Sequence, residues 1–200
     1  MNICIYCASS GQVPETYVAD ARLLGTLAAR MGHTLVNGAG RTGLMGAASD
    51  AALAEGGEVV GVIPQFMVEQ GWHHLGLTRL EVVPDMHRRK ERMARLADAC
   101  IALPGGVGTL EELLEIITWK QLGLYLNPIV VLNTDGYFDA LLAQLRKAVD
   151  ERFMRDVHAS IWQVAHTGRC APTGAHHARL GQEYPKICRP LNLVRHAGKC

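Results

Sequence analysis

Cys100-Ile101-Ala102-Leu103-Pro104-Gly105-Gly106-Val107-Gly108-Thr109-Leu110-Glu111-Glu112 is the stretch that decides the fold. Its first four residues form an apolar run with no polar alternation, the pattern of a strand buried on both faces. Pro104 stops the run, three glycines turn the chain, and residues 109–122 then carry apolar side chains at helical spacing. A fully covered strand passing through a glycine turn into a helix is one unit of a parallel sheet.

Outward from this unit the pattern recurs. Strands are expected at residues 3–7, 33–36, 59–63, 80–83, 100–103 and 129–132. A helix opened by Pro14 carries Val18, Leu23, Leu24, Leu27 and Ala28 on one side and ends near Gly32. Further helices are expected over 44–54, 86–97, 109–122 and 137–149, with a weaker one near 157–164, and residues 65–78 form a longer connection. Strands alternating with helices predict an α/β fold, a Rossmann-like doubly wound parallel sheet in a single domain with right-handed crossovers. The catalytic domain is expected to span 1–165. Residues 166–200, rich in Gly, Pro, His, Arg and Cys without periodicity, read as an atypical C-terminal extension.

The composition narrows the function. Of 200 residues, 48% are hydrophobic and 20% charged, as in one globular domain with a buried core. A formal net charge of +1 offers no electrostatic grip on nucleic acid or an anionic membrane. No apolar run approaches the length of a membrane span. The N-terminus has no basic segment ahead of its apolar stretch, so it reads as a first strand and not a signal peptide. Cys4 and Cys7 spell C-x-x-C, but three residues apart on a strand they point to opposite faces and cannot share a ligand. Cys100 reads as a buried side chain, and Cys170, Cys188 and Cys200 are widely separated. A reduced, cytoplasmic protein holding no metal is the expectation.

Ligands of open parallel sheets bind beyond the carboxyl ends of the strands. Three loops there stand out: Ala8-Ser9-Ser10-Gly11, Asn37-Gly38-Ala39-Gly40-Arg41-Thr42-Gly43, and Pro104-Gly105-Gly106-Val107-Gly108-Thr109. The second spells G-x-G-x-x-G, but a dinucleotide site also needs an acidic residue at the end of the next strand. Pro64 and Gln65 stand there, and Glu58 lies at that strand's start. Ser9, Gly38, Gly40 and Gly43 are therefore secondary candidates. In the third loop, glycines let backbone N–H groups approach a ligand, and the helix opened by Thr109 adds its positive dipole end. No Lys-Ser/Thr follows in P-loop spacing, which suits a monophosphate bound without metal. A tight turn that binds nothing would have the same spelling.

Two charged residues need weighing. Thr109-Leu110-Glu111-Glu112 is a capping-box spelling, so Glu112 could reach back to the helix start. The same position also sets a carboxylate within a turn of the phosphate loop. Arg89 shares one helical stripe with Met86, Met93 and Leu96, where a buried guanidinium must be paired or must snorkel to solvent.

Together, Met86-His87-Arg88-Arg89-Lys90-Glu91-Arg92-Met93 and Pro104-Gly105-Gly106-Val107-Gly108-Thr109-Leu110-Glu111-Glu112 resemble the LOG ("Lonely guy") family of cytokinin riboside 5′-monophosphate phosphoribohydrolases. The shared pattern is M-H-x-R-K-x-x-M followed by P-G-G-x-G-T-x-x-E. Likeness runs from about residue 2 to 164, through Gly43-Leu44-Met45-Gly46 and Ile117-Thr118-Trp119. The resemblance implies Arg89 and Glu112 as catalytic residues. It implies Arg89, Lys90, Gly106, Val107, Gly108, Thr109, Leu110, Glu111, Glu112 and Thr118 as nucleotide-binding. It further implies a Rossmann-like homodimer without metal or cofactor. The chain departs from the family's Tyr-Gly-Gly-Gly at Asn37-Gly38-Ala39-Gly40, from glycine at Ala8, and from an acidic residue at Gly71.

The implied reaction is hydrolysis of the N-glycosidic bond of AMP or an N6-prenyladenine nucleotide, giving free base and ribose 5-phosphate. Positive charge develops on the ribose, which a carboxylate beside C1′ would stabilise. The family's older label, lysine decarboxylase-like, suits the residues poorly. Such enzymes commonly use a Schiff-base lysine, and Lys90 lies among cations at a phosphate loop. The competing class is a nucleotide-binding or carrier protein without turnover, whose glycine loops would look alike.

Overall fold

The computed structural model describes residues 1–167. Seven strands, β1 (Asn2–Tyr6), β2 (Thr34–Asn37), β3 (Val59–Pro64), β4 (Arg79–Val83), β5 (Ala99–Ala102), β6 (Ile129–Thr134) and β7 (Trp162–Thr167), form one sheet. Their order is β4-β3-β2-β1-β5-β6-β7 and every pairing is parallel. Six α-helices join them: α1 (Glu15–Arg30), α2 (Gly43–Ala54), α3 (Gln65–Glu69), α4 (Met86–Leu96), α5 (Val107–Gln121) and α6 (Asp139–Asp150). The chain winds outward from β1 to β4 and returns to the other side of β1 at β5. The doubly wound α/β fold expected from the alternation is the one observed.

Every residue of β3, β5 and β6 is buried, which accounts for the apolar spelling of β3, β5 and residues 129–132. Asn133, buried near the end of β6, is satisfied by bonds to Asp139 and the Phe138 N–H. Cys4 and Cys100, opposite one another in the β1–β5 register, lie in the core under α4 and α5 with Met93 and Leu113. Cys7 lies in the other core with Leu24, Leu44 and Ala48 of α1 and α2. The C-x-x-C pair is thus split between two faces. Helices α1 and α2 touch closely, because a Cβ on Gly25 would stand 2.2 Å from the Ala48 carbonyl oxygen. Glycine inside a helix costs about 1 kcal/mol relative to alanine, here offset by that approach.

Three expectations are corrected. The apolar residues near 157–164 do not form a helix. Asp156–Ser160 is a short 3-10 turn, and Trp162–Thr167 pairs with β6 from Ile129↔Trp162 to Thr134↔Thr167. Val157, Ile161 and Val164 fall at helical spacing, but the ladder to β6 prevails over that local pattern. The 65–78 connection holds a helical turn, α3. Helix α5 starts at Val107, two residues ahead of the expected Thr109. The expected extension lies, from residue 168 on, outside the described residues. Among the described residues, no helix is long and apolar enough to cross a membrane.

Candidate active site

The three loops meet at the carboxyl ends of β1, β2 and β5, where the strand order reverses. The Ala8 N–H donates to the Pro104 carbonyl at 3.1 Å, joining the first loop to the third. The Thr42 hydroxyl donates to the Ser9 carbonyl at 2.6 Å, joining the first to the second. Gly43 has φ 65°, and a Cβ there would stand 2.5 Å from the Ser10 carbonyl oxygen. A Cβ on Gly40 would meet Met45 Sδ at 3.1 Å and Ser9 Cβ at 3.7 Å. A Cβ on Gly38 would fall 1.5 Å from Nη2 of Arg89. The glycines of the second loop thus seat neighbouring protein groups: loop one, Met45 and the Arg89 guanidinium.

Arg89 projects from α4, whose first turn is capped by Asp85 accepting from the Arg88 N–H at 2.8 Å. Its side chain is buried. Nε donates to the Val62 carbonyl at 3.2 Å, Nη2 to the Gly38 carbonyl at 3.0 Å, and Nη1 lies 3.7 Å from Met86 Sδ. The oddity of an arginine in an apolar stripe is resolved by pairing with main-chain carbonyls at the ends of β2 and β3. These acceptors orient the guanidinium without neutralising it, so its charge is kept for an anion. Burial lowers its pKa, opposed by the charge of Glu112.

Helix α5 begins on Gly106, with no side chain capping it. The first N–H groups of the helix therefore face the loop mouth. A Cβ on Gly105 would stand 2.1 Å from Thr109 Oγ1, whereas one on Gly106 or Gly108 would meet nothing within 4 Å. Gly105 is a packing glycine; Gly106 and Gly108 border open space. The early start also removes the capping-box alternative, because Thr109 is the third helical residue and Glu112 the sixth. Glu112 is instead buried, only 9% exposed. Burial raises its pKa to about 7; Arg89 pulls it down, Glu111 raises it, Lys90 lowers it and Glu115 raises it. Arg89 and Glu112 sense each other's charge, and among the described residues no ion pair joins them.

The remaining candidates separate. Lys90 donates to Glu111 and, at 3.1 Å, to Glu115, both on α5. Thr118 is exposed, its hydroxyl donating to the Leu114 carbonyl at 2.8 Å. It lies roughly 16 Å along α5 from Val107 at the helical rise. Within one chain it does not join the loop mouth.

The family model described as "Possible lysine decarboxylase" matches residues 45–173. The cytokinin riboside 5′-monophosphate phosphoribohydrolase LOG7 of Arabidopsis thaliana is 47% identical over 152 residues, 76% of this chain and 70% of that relative. The chain belongs to the LOG family. A second LOG relative from Arabidopsis thaliana, the probable phosphoribohydrolase LOG6, is 44% identical over 168 residues, 84% of each chain. Among solved structures, the molybdenum cofactor carrier protein of Chlamydomonas reinhardtii superposes with a TM-score of 0.67. It shares 19% identity over 94% of this chain and 98% of that one. At that identity the likeness concerns the fold alone.

One residue bonded to the third glycine loop escaped the sequence reading. Tyr137, just after β6, donates its hydroxyl to the Gly105 carbonyl at 2.7 Å. Its ring packs edge-on against Tyr17 and Phe138, with centroids 5.6 and 5.1 Å away. It buttresses the glycine loop from behind. The one available signal was its place at the carboxyl end of the strand next to β5.

Proposed function

We propose that this chain hydrolyses the N-glycosidic bond of a purine nucleoside 5′-monophosphate, adenine or N6-prenyladenine, to free base and ribose 5-phosphate. The observation that carries the reading is the buried, unneutralised guanidinium of Arg89 beside the buried carboxyl group of Glu112, at the mouth of an uncapped glycine-loop helix. The phosphate binds to the first N–H groups of α5, over Gly106, Val107, Gly108 and Thr109, with Arg89 as its cation. Phosphate binding, remote from the scissile bond, fixes the ribose next to Glu112. As the C1′–N bond lengthens, the Glu112 carboxylate stabilises the positive charge on the ribose and orients the attacking water. The bonding electrons leave with the base.

The LOG7 relative is a cytokinin riboside 5′-monophosphate phosphoribohydrolase, which favours a prenylated adenine substrate. A carrier needs the cation and the amide cradle but gains nothing from a buried carboxyl group beside its anionic ligand, and this favours hydrolysis over carriage. A cytoplasmic homodimer completes the proposal.

Incubation with AMP and with isopentenyladenosine monophosphate, followed by chromatography for free base, tests it. Base release from at least one is expected, and its loss in Glu112→Gln and in Arg89→Ala. Nucleotide binding without base release would replace hydrolysis with carriage. Since the carboxylate is the working form, kcat/KM should rise with pH through about 7, the value to which burial pushes Glu112.

A further inference from the structure

Lys90 adjoins Arg89 in α4, and Glu111 adjoins Glu112 in α5. The Lys90 ammonium, with a side chain 9% exposed, lies between Glu111 and Glu115, one turn apart on the same face of α5. Burial pulls its pKa down, and the two carboxylates more than offset this, so it stands above the ordinary lysine value. Both carboxylates are engaged at once, 3.1 Å being the Nζ distance to Glu115. A lysine held in this way has its charge spent on α5 rather than offered to a phosphate.

We propose that Lys90 is a positioning residue, not a substrate ligand: it clamps α4 to α5 at the residues adjoining Arg89 and Glu112 and cancels the two carboxylates flanking Glu112. The inference rests on the hydrolase reading for its catalytic consequence, but not for the clamp itself. Two contacts one turn apart fix both the rotation and the axial slide of α5 against α4. That sets where the Glu112 carboxyl sits relative to the Arg89 guanidinium, and a shift near 1 Å between reacting groups costs about 100-fold in rate.

The charges facing Glu112 can be enumerated. From α4 come Arg89 and Lys90, and from α5 Glu111 and Glu115. From β1 and the residue after it come Cys4, Tyr6 and Cys7, and from β5 Cys100, all buried and influenced by the Glu112 charge. Of these, the two glutamates are the groups that oppose a carboxylate at Glu112, and Lys90 is bonded to both. Without it, two unpaired negative charges would hold Glu112 protonated to higher pH.

The test compares Lys90→Met, Lys90→Arg and the triple variant Lys90→Met/Glu111→Gln/Glu115→Gln with the wild type, using whichever monophosphate is turned over. Lys90→Met should lower kcat roughly tenfold or more with KM changed less than about threefold. Its acid limb should move upward by about half a pH unit or more. Lys90→Arg should restore most of kcat, and the triple variant should return the acid limb toward the wild-type position. In parallel, carboxyl-carbon NMR of glutamate-labelled protein, with Glu112 assigned from Glu112→Gln, reads the same upward shift without turnover. An absent hydrolase activity therefore sinks the functional proposal while the NMR titration still decides the clamp. A Lys90→Met protein with raised KM, unchanged kcat and an unmoved Glu112 titration would make Lys90 a phosphate ligand and overturn the inference.

Discussion

A glycine and an arginine far apart in the chain occupy a single space: Gly38 leaves room for the Arg89 guanidinium, which then donates back to the Gly38 carbonyl at 3.0 Å. Gly38→Ala should therefore imitate an Arg89 variant. The methyl group expels the guanidinium from its carbonyl seat, and base release should fall roughly 100-fold, while circular dichroism and Tm report a folded protein. Retention of full activity would show that Arg89 works from another position. Glu112 offers a stability measurement on the same site. Its native pKa of about 7 stands above the ordinary 4.5. Between these values the native state keeps a proton that the unfolded state has released. The stability contributed by the neutral carboxyl is whole below the unfolded value and is lost as pH rises through about 7. Near pH 8, Glu112→Gln should be more stable than the wild type by on the order of 2 kcal/mol. The gain should shrink toward zero as the pH approaches the ordinary carboxylate range. A wild type equally stable across that window would mean that Glu112 is not buried in an uncompensated setting.

At the scale of elements, the third glycine loop is held by both neighbours: by Ala8 after β1 and by Tyr137 after β6. Tyr137→Phe keeps the ring packing on Tyr17 and Phe138 and deletes the hydrogen bond to Gly105. The expected result is a stability loss of about 1 kcal/mol and a several-fold rise in KM with kcat little changed, because the loop binds phosphate and does not react. A kcat effect of the same size as the KM effect would instead place Tyr137 in the chemical step. The elements also show what could be read in advance. β3, β5 and residues 129–132 of β6 were legible because burial on both faces leaves no polar residue in them. The loops were legible because glycine and proline punctuate the chain in any context. Arg89 stood out as a cation in an apolar stripe. By contrast, β7 is made by a ladder to β6, and no local pattern reports a partner about 30 residues away. The start of α5 at Val107 depends on Gly106 taking an extended conformation, while Thr109 offers the better cap by composition. Tyr137 and the Lys90–Glu111–Glu115 contacts are products of tertiary packing, which no local pattern reports; the resemblance, and not the spacing of the residues, pointed Lys90 and Glu111 to the ligand.

The molecule as a whole explains why these groups converge: the strand order reverses between β1 and β5, so the loops after both strands open into one crevice. One implied contact does not fit a single copy. Thr118, three turns along α5, is exposed on a face that continues into Leu114, Leu122, Leu124 and Leu126, which are 39%, 65%, 70% and 79% exposed. Beside it lies a groove of about 780 Å³ between α4 and α5, bordered by Trp119 and Leu124 and rimmed by Arg88, Glu91 and Arg95. An apolar surface with a charged rim is the composition of a subunit interface. A two-fold related copy seated there would carry its own Thr118 toward the neighbouring site, which the first copy cannot do for itself. Leu124→Asp/Leu126→Asp should therefore yield monomers in sedimentation equilibrium. It should also lose base release by about tenfold or more, although Arg89, Glu112 and the glycine loops are untouched. Monomers with undiminished activity would show that each chain holds a complete site and that Thr118 takes no part in nucleotide binding. A variant that remains dimeric would move the interface to another face.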